Sequence, residues 1–133
     1  MRHDSTSAVA AWIALAQTDL RMARLAFADD PPMFRQVCFH SQQVAEKMLK
    51  ALLERQGLAT PRTHDLLVLV DALVPHFQQA SLWAEDAAVL AEFGVGPRYP
   101  GVAFEATAGQ ARQALQCAER LADAIRGVLA DAV

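Results

Sequence analysis

The chain has 133 residues, a formal net charge of −3 and a composition that is 53% hydrophobic but only 7% aromatic. A chain of this length can bury a core without disulfides or structural metals, and its weak negative charge excludes a global basic field that would attract nucleic acid. No apolar run approaches the roughly 18 residues that a membrane span needs. We therefore expect a single cytoplasmic domain over residues 1–133, with no membrane segment, no metal and no cofactor.

The first half of the chain predicts two long helices separated by a proline break. Apolar residues at helical spacing run through residues 7–28, namely Val9, Trp12 or Ile13, Ala16, Leu20, Ala23 and Phe27. Two aspartates and two prolines then interrupt the pattern, and Asp30 is placed to cap the second helix. That helix is expected over residues 33–56 and to end at Gly57, because glycine readily adopts the left-handed conformation that terminates helices.

The second half predicts three further helices. Thr63 is expected to cap a third helix over residues 64–74, which is apolar nearly all round and therefore buried among neighbours or covered by a partner. A fourth helix is expected over residues 81–93, followed by a loop at 94–101 that is rich in glycine and proline. Apolar residues step by four and three through a fifth helix, residues 104–129. The pattern predicts an all-α fold, an antiparallel up-and-down helical bundle of four to five helices.

The second helix also carries a compact polar cluster opposite its apolar stripe. Wound at about 100° per residue, four side chains fall within an arc of roughly 100°; they are Gln43, Glu46, Lys47 and Lys50. His40 lies at the edge of this arc. Glu46 and Lys50 also form a favourable i,i+4 pair, so the cluster is either a ligand-binding patch or a solvated, ion-paired face.

A histidine opens the third helix. Thr63 and Asp65 are explained by helix-start chemistry, but His64 is not, because a helix N-terminus disfavours the imidazolium form. A neutral imidazole at this position could form hydrogen bonds or shuttle a proton. A purely structural histidine is the alternative.

The loop before the last helix contains Arg98, Tyr99 and Pro100. The Arg98 guanidinium offers a planar fork for phosphate or carboxylate, and Tyr99 offers a stacking face with a hydroxyl. Alternatively, Tyr99 packs on the bundle and Arg98 pairs with an acid, so that the loop is simply anchored.

Together these three features resemble the HEPN family, small helical domains linked to nucleotide binding. The matching residues span nearly the whole chain in the family's order and approximate spacing: Gln43, Glu46, Lys47, Lys50 and Ala51, then His64, Asp65 and Leu66, then Arg98, Tyr99 and Pro100. The resemblance implies an up-and-down bundle, commonly a homodimer, often encoded beside a minimal nucleotidyltransferase. Several branches of the family are RNA-cleaving toxins, and others look like non-catalytic nucleotide- or substrate-binding subunits.

The ribonuclease branches carry an arginine followed a few residues later by a histidine, usually in the second half of the domain. Residues 99–133 contain no histidine. A formal match occurs at Arg35 and His40, but helical geometry places these two residues about 140° apart early in the second helix. This departure from the family pattern favours a role without catalysis.

Three hypotheses for function follow. In the first, a HEPN-like module binds a nucleotide phosphate, or a nucleotidyltransferase partner within a toxin–antitoxin system, through Gln43, Glu46, Lys47, Lys50, His64, Arg98 and Tyr99. In the second, a metal-independent endoribonuclease toxin uses His64 or His40 as general acid and base, with Arg35 or Arg98 stabilising the phosphorane. In the third, the polar cluster only orders a helical scaffold.

Overall fold

The computed structural model describes residues 5–93 and 105–131, which form five α-helices and one 3₁₀ helix. In chain order these are α1 (Ser5–Ala28), α2 (Phe34–Arg55), α3 (Leu66–Leu73), the 3₁₀ helix (Gln78–Trp83), α4 (Ala84–Ala91) and α5 (Ala108–Asp131). No strand occurs among the described residues, so the all-α class that the hydrophobic pattern predicts is confirmed.

Helices α1 and α2 form an antiparallel pair joined by a short connection. The Met33 backbone N–H donates to the Ala26 carbonyl at 2.9 Å and closes the turn between them. The prediction that Asp30 caps α2 is wrong: Met33 holds the N-cap position, and no side chain bonds the first turn there. Asp30 precedes the first helical residue by four positions, whereas a cap must directly precede it.

Helix α2 lies at the centre of the bundle, with α1 and α5 packed on different sides of it. Of its 22 residues, 13 are buried. It ends as predicted at Gly57, whose φ of +72° lies in the left-handed region. The Leu58 N–H donates to the Leu53 carbonyl and the Gly57 N–H to the Glu54 carbonyl, both at 3.0 Å, which is the Schellman arrangement.

Helix α3 begins two residues later than predicted, and its cap is Asp65 rather than Thr63. The Asp65 carboxylate accepts the Leu67 N–H at 3.0 Å, while the Thr63 hydroxyl accepts the Asp65 N–H at 3.0 Å. Thr63 therefore shapes the turn that leads into the cap. Leu67 and Val68 remain 39% and 42% exposed, so the described chain covers only one face of this apolar helix.

The segment predicted as one helix over residues 81–93 is instead a 3₁₀ helix followed by α4. The Trp83 ring at their junction is 5% exposed and stacks on Phe77, with ring centroids 5.8 Å apart. Helix α4 is joined to α5 by Asp86 and Arg120, whose Nη2 lies 2.9 Å from Oδ1. This guanidinium lowers the pKa of the Asp86 carboxyl.

Helix α5 begins with a reciprocal cap. The Gln110 N–H donates to the Thr107 hydroxyl at 3.1 Å, and the Thr107 N–H donates to the Gln110 side-chain oxygen at 3.0 Å. This capping box explains why the helix starts at Ala108. The predicted start at Phe104 lies outside the described residues, but the prediction of helix at residues 105–107 is wrong, because these residues are described and are not helical.

The described helices bury one continuous apolar core in which α2 contributes the largest side chains, among them Met48, Leu49, Leu52 and Leu53. Alanines at the facing positions of α1 and α5, such as Ala23 and Ala118, let the helix axes approach closely. Within the described part of the chain, no helix is both long and apolar enough to cross a bilayer.

We expect Leu52→Ala to lower the free energy of unfolding by about 2–5 kcal/mol, because Leu52 is 0% exposed and its truncation leaves a cavity. Leu82→Ala is the matched control, since Leu82 is 73% exposed and surface changes stay within about 0.5 kcal/mol. Urea unfolding followed by circular dichroism measures both. Equal losses in the two variants would contradict the position of the core.

Candidate functional site

Asp19 of α1 forms the first of two polar junctions that surround α2. Its carboxylate is buried, with the residue only 7% exposed. Oδ1 lies 2.8 Å from Nδ1 of His40, and Oδ2 accepts a hydrogen bond from the Lys47 ammonium. A carboxylate in a helix interface is costly unless it is paired, and these two contacts from α2 pair it fully.

Glu46 forms the second junction and is 3% exposed. The Lys50 ammonium, one turn further along α2, donates to its Oε2 at 3.1 Å. Nδ1 of His64, just before α3, lies 3.0 and 3.1 Å from the two carboxylate oxygens. Lys50 also lies over the Trp12 ring of α1, 5.4 Å from its centroid, a cation–π contact. The two junctions together, six residues in all, are called the polar ladder below: Asp19, His40, Lys47, Glu46, Lys50 and His64.

The polar ladder is balanced in charge, because its two carboxylates match its two ammonium groups when the histidines are neutral. The side chains of Lys47 and Lys50 are only 19% and 9% exposed, and each holds a carboxylate. The i,i+4 pairing of Glu46 with Lys50 that the spacing allowed is therefore present. The pair is buried rather than solvated, because α1 and the segment before α3 cover this side of α2.

His64 is the accessible end of the polar ladder, since its side chain is 63% exposed. An ionised carboxylate only accepts hydrogen bonds, so Nδ1 of His64 must carry the proton in its contact with Glu46. This fixes the tautomer and leaves Nε2 as the nitrogen that can meet a ligand. The buried carboxylate behind the ring therefore orients an exposed imidazole.

Two glutamines connect the polar ladder to the backbone. The Gln42 amide, 1% exposed, donates to the His64 carbonyl at 3.2 Å. Gln43, half-buried, donates in turn to the Gln42 side-chain oxygen at 2.7 Å. Gln43, predicted as a ligand-binding residue, thus reaches His64 only through Gln42. Both amides fix the segment that presents the imidazole.

The alternative catalytic residues occupy different environments. Arg35 is exposed at the start of α2, whereas the His40 side chain is 14% exposed, faces Asp19 and packs edge-on against Phe39 with centroids 5.2 Å apart. The structure thus joins His40 to the polar ladder. Arg98 and Tyr99, predicted to complete the site, lie outside the described residues.

Sequence reasoning missed Asp19 and Gln42, and it placed Trp12 in the apolar stripe of α1 without its contact to Lys50. Asp19 had a detectable signal: Trp12, Ala16, Asp19 and Ala23 repeat at spacings of four, three and four, which places a carboxylate on the core face of α1. A charged residue at a core position needs a partner of opposite charge. Lysines on the polar face of the next helix were the available candidates. Gln42 gave no comparable signal, because an isolated glutamine is ordinary on any helix.

Metal and thiol chemistry find little support in the described chain. No three side chains of the His, Cys, Asp or Glu type come close enough there to hold a metal ion. Cys38 and Cys117 are free and buried. Burial raises the pKa of both thiols to about 11, so neither is a nucleophile at neutral pH.

The comparisons with known proteins agree with the all-α fold. The family model for the HEPN domain matches residues 9–128, nearly the whole chain. The chain belongs to the HEPN family. The crystal structure of an archaeal HEPN homologue superposes with a TM-score of 0.70 at 30% sequence identity, covering 90% of this chain and 95% of that one. No curated protein matches the chain. The resemblance noted from the three motifs is thereby confirmed.

We expect Asp19→Asn to lower the free energy of unfolding by at least about 1–3 kcal/mol, because it leaves the Lys47 ammonium without its carboxylate inside an interface. Asp123→Asn, an exposed position on α5, serves as the control. In a double-mutant cycle, adding Lys47→Met to Asp19→Asn should restore part of the loss. Strictly additive losses in thermal or urea unfolding would show that the two groups do not interact.

Proposed function

We propose that this HEPN domain is a single-domain, non-catalytic binding module that uses the exposed imidazole of His64 to hold a nucleotide. It would act as a homodimer beside a minimal nucleotidyltransferase, in a toxin–antitoxin pair. The observation that carries the proposal is the contrast within the polar ladder. Both lysines are neutralised inside the protein, whereas His64 is held by Glu46 with most of its ring in solvent.

The oriented imidazole suits the polar groups of a nucleotide. In the neutral form Nε2 accepts a hydrogen bond from a ribose hydroxyl or a base amine, and in the protonated form it donates to a phosphate oxygen. Arg62 is exposed two residues before His64 and offers a fork for phosphate. Arg98 and Tyr99 remain proposed contributors from the loop before α5.

The buried lysines have an indirect part in this proposal. Lys50 donates to Glu46 at 3.1 Å and so balances the charge of the buried carboxylate that holds His64. Lys47 balances the charge of Asp19 in the same way. The lysines therefore stabilise the arrangement that presents the imidazole. The nucleotide contacts His64 and not the lysines.

We expect millimolar nucleotides to raise the melting temperature of the wild-type protein and to lose that effect in His64→Ala, because ligands specific for the native state stabilise it. His76→Ala is the matched control, since His76 is an exposed histidine at the other end of α3. Thermal shift with a panel of mono-, di- and triphosphates measures the effect. An unchanged shift in His64→Ala would overturn the proposed contact.

Lys50→Met tests the indirect role of that lysine. A lower melting temperature with the nucleotide shift retained is the expected result. Loss of the shift in a variant that still folds would mean that the lysine contacts the ligand directly.

The second candidate, a metal-independent endoribonuclease, is favoured by one observation. His40 and His64 each have a carboxylate at Nδ1, which leaves Nε2 for proton transfer, and Arg35 lies five residues before His40. In this mechanism one imidazole would take the proton of the 2′-hydroxyl as its oxygen bonds to phosphorus, and a cation would stabilise the phosphorane. The P–O5′ bond would then break, and a protonated imidazole would give its proton to the departing 5′-oxygen.

We expect the purified protein to leave single-stranded and structured RNA intact with EDTA present, as a non-catalytic module should. Gel analysis of end-labelled RNA is the measurement, with His40→Ala, His64→Ala and His76→Ala run in parallel. Cleavage that disappears in His40→Ala or His64→Ala but persists in His76→Ala would replace the binding function with the ribonuclease.

A further inference from the structure

Helix α1 has a second apolar face, on the side away from the core. Six uncharged residues share an arc of about 100° along roughly 21 Å of this helix; they are Ala11, Ala14, Leu15, Thr18, Met22 and Leu25. Leu15, Met22 and Leu25 are 50%, 45% and 61% exposed. A helix that is apolar on two sides is normally covered on both. These six residues are called the outer stripe below.

The outer stripe ends in an open groove at the α1–α2 turn. The groove encloses about 480 Å³ and is lined by Met22, Leu25, Ala26, Ala28, Asp29 and Met33. Met33 adds another large apolar side chain, 45% exposed, to the same surface. The C-terminal half of α1 therefore presents bulky side chains beside a depression, whereas its N-terminal half presents mainly alanines.

We infer that the outer stripe docks against the same stripe of a second copy, with the two α1 helices antiparallel about a two-fold axis at Thr18. In such a pair, residues equally distant from Thr18 along the helix lie opposite each other. Met22 then faces Ala14 of the second copy, and Leu25 faces Ala11. Large side chains meet small ones at both positions, as close packing requires.

The remaining contacts of this pairing are also compatible. Leu15 lies opposite Arg21, which borders the outer stripe and can cover a leucine with its aliphatic stem while its charge stays in water. At the axis itself, the Thr18 hydroxyl donates to the Ala14 carbonyl at 3.2 Å, so its polar group is already satisfied before two copies meet.

The order of large and small residues along the outer stripe is complementary to itself under a two-fold axis. This is the observation that favours a second copy as the partner. The two-fold rotation about Thr18 places the alanine-rich half of one α1 against the half of the partner's α1 that borders the groove. Because alanine side chains are small, that half of the helix can approach the open groove closely. No charge lies within the stripe to oppose its own image. This inference rests on the homodimer in the proposed function and assigns its interface.

Sedimentation velocity across a concentration series tests the surface. The wild type should form a dimer, and Leu25→Glu should weaken it by at least about 100-fold, because each dimer would hold two carboxylates against an apolar partner face. Leu82→Glu is the matched control, since Leu82 is 73% exposed on the 3₁₀ helix, and its dimer should be unchanged. A dimer that resists Leu25→Glu would overturn this interface while leaving the homodimer intact.

Cysteine cross-linking tests the register independently. Thr18→Cys should form a disulfide-linked dimer under mild oxidation, as only a residue at the two-fold axis meets itself. An equimolar mixture of Ala11→Cys and Leu25→Cys proteins should cross-link to each other, and neither should do so alone. The native thiols give little background because they are buried and burial raises their pKa to about 11.

Two further results would overturn the inference. A wild-type chain that stays monomeric at about 100 μM would remove both the interface and the homodimer, and would leave the stripe to a different protein. Cross-linking of Thr18→Cys no faster than of Gln17→Cys, its exposed neighbour, would remove the proposed axis. The nucleotide shift of Leu25→Glu, measured alongside, reports separately on His64 and does not depend on either result.

Discussion

The buried carboxylate of Asp19 governs how α1 and α2 meet. An apolar helix pair can slide or rotate by one ridge at small cost, because many leucine and alanine contacts are interchangeable. A buried carboxylate with two fixed partners on the facing helix permits one register, since any other leaves a charge unpaired in the interface. The contacts of Asp19 with His40 and Lys47 therefore select a single alignment of the longest helix pair, and α2 then positions everything packed around it.

That alignment also determines what the polar residues of α2 can do. Once α1 covers one side of the polar cluster and the entrance to α3 covers another, Lys47 and Lys50 become counter-ions of the interior. His64 is then the exposed polar group. Its imidazole contacts Glu46, and Glu46 pairs with Lys50, which lies over the Trp12 ring. A site of this kind is preorganised, because its outermost group is oriented before any ligand arrives.

The hydrophobic pattern was sufficient for the fold class and for four of the features that position the site: α1, α2, the Gly57 terminator and α5. It was insufficient where two local signals competed. Thr63 and Asp65 are both good caps, and only the conformation of the turn decides that the Asp65 carboxylate accepts the Leu67 N–H in the first turn of α3. The spacing of Glu46, Lys47 and Lys50 showed that they share a face, but spacing within one helix cannot reveal which other helix covers that face. Asp19 supplied the missing information, and its position in an otherwise apolar stripe was the signal to follow.

The residues that contact each other in the polar ladder are separated by few positions in the sequence. This affects the order in which the parts of the chain can fold. Asp19 reaches His40 and Lys47 over 21 and 28 residues, and Glu46 reaches His64 over 18. By contrast, the ion pair of Arg24 with Glu119 that ties α5 to α1 spans 95 residues. Closing a short loop costs less chain entropy than closing a long one. Docking α5 on α1 closes the longer loop, because α5 lies at the far end of the sequence. The contacts of Asp19 can therefore form in an α1–α2 hairpin as it leaves the ribosome, and the contact of Glu46 with His64 needs only the segment that follows. The last helix then docks onto a surface whose register is already set.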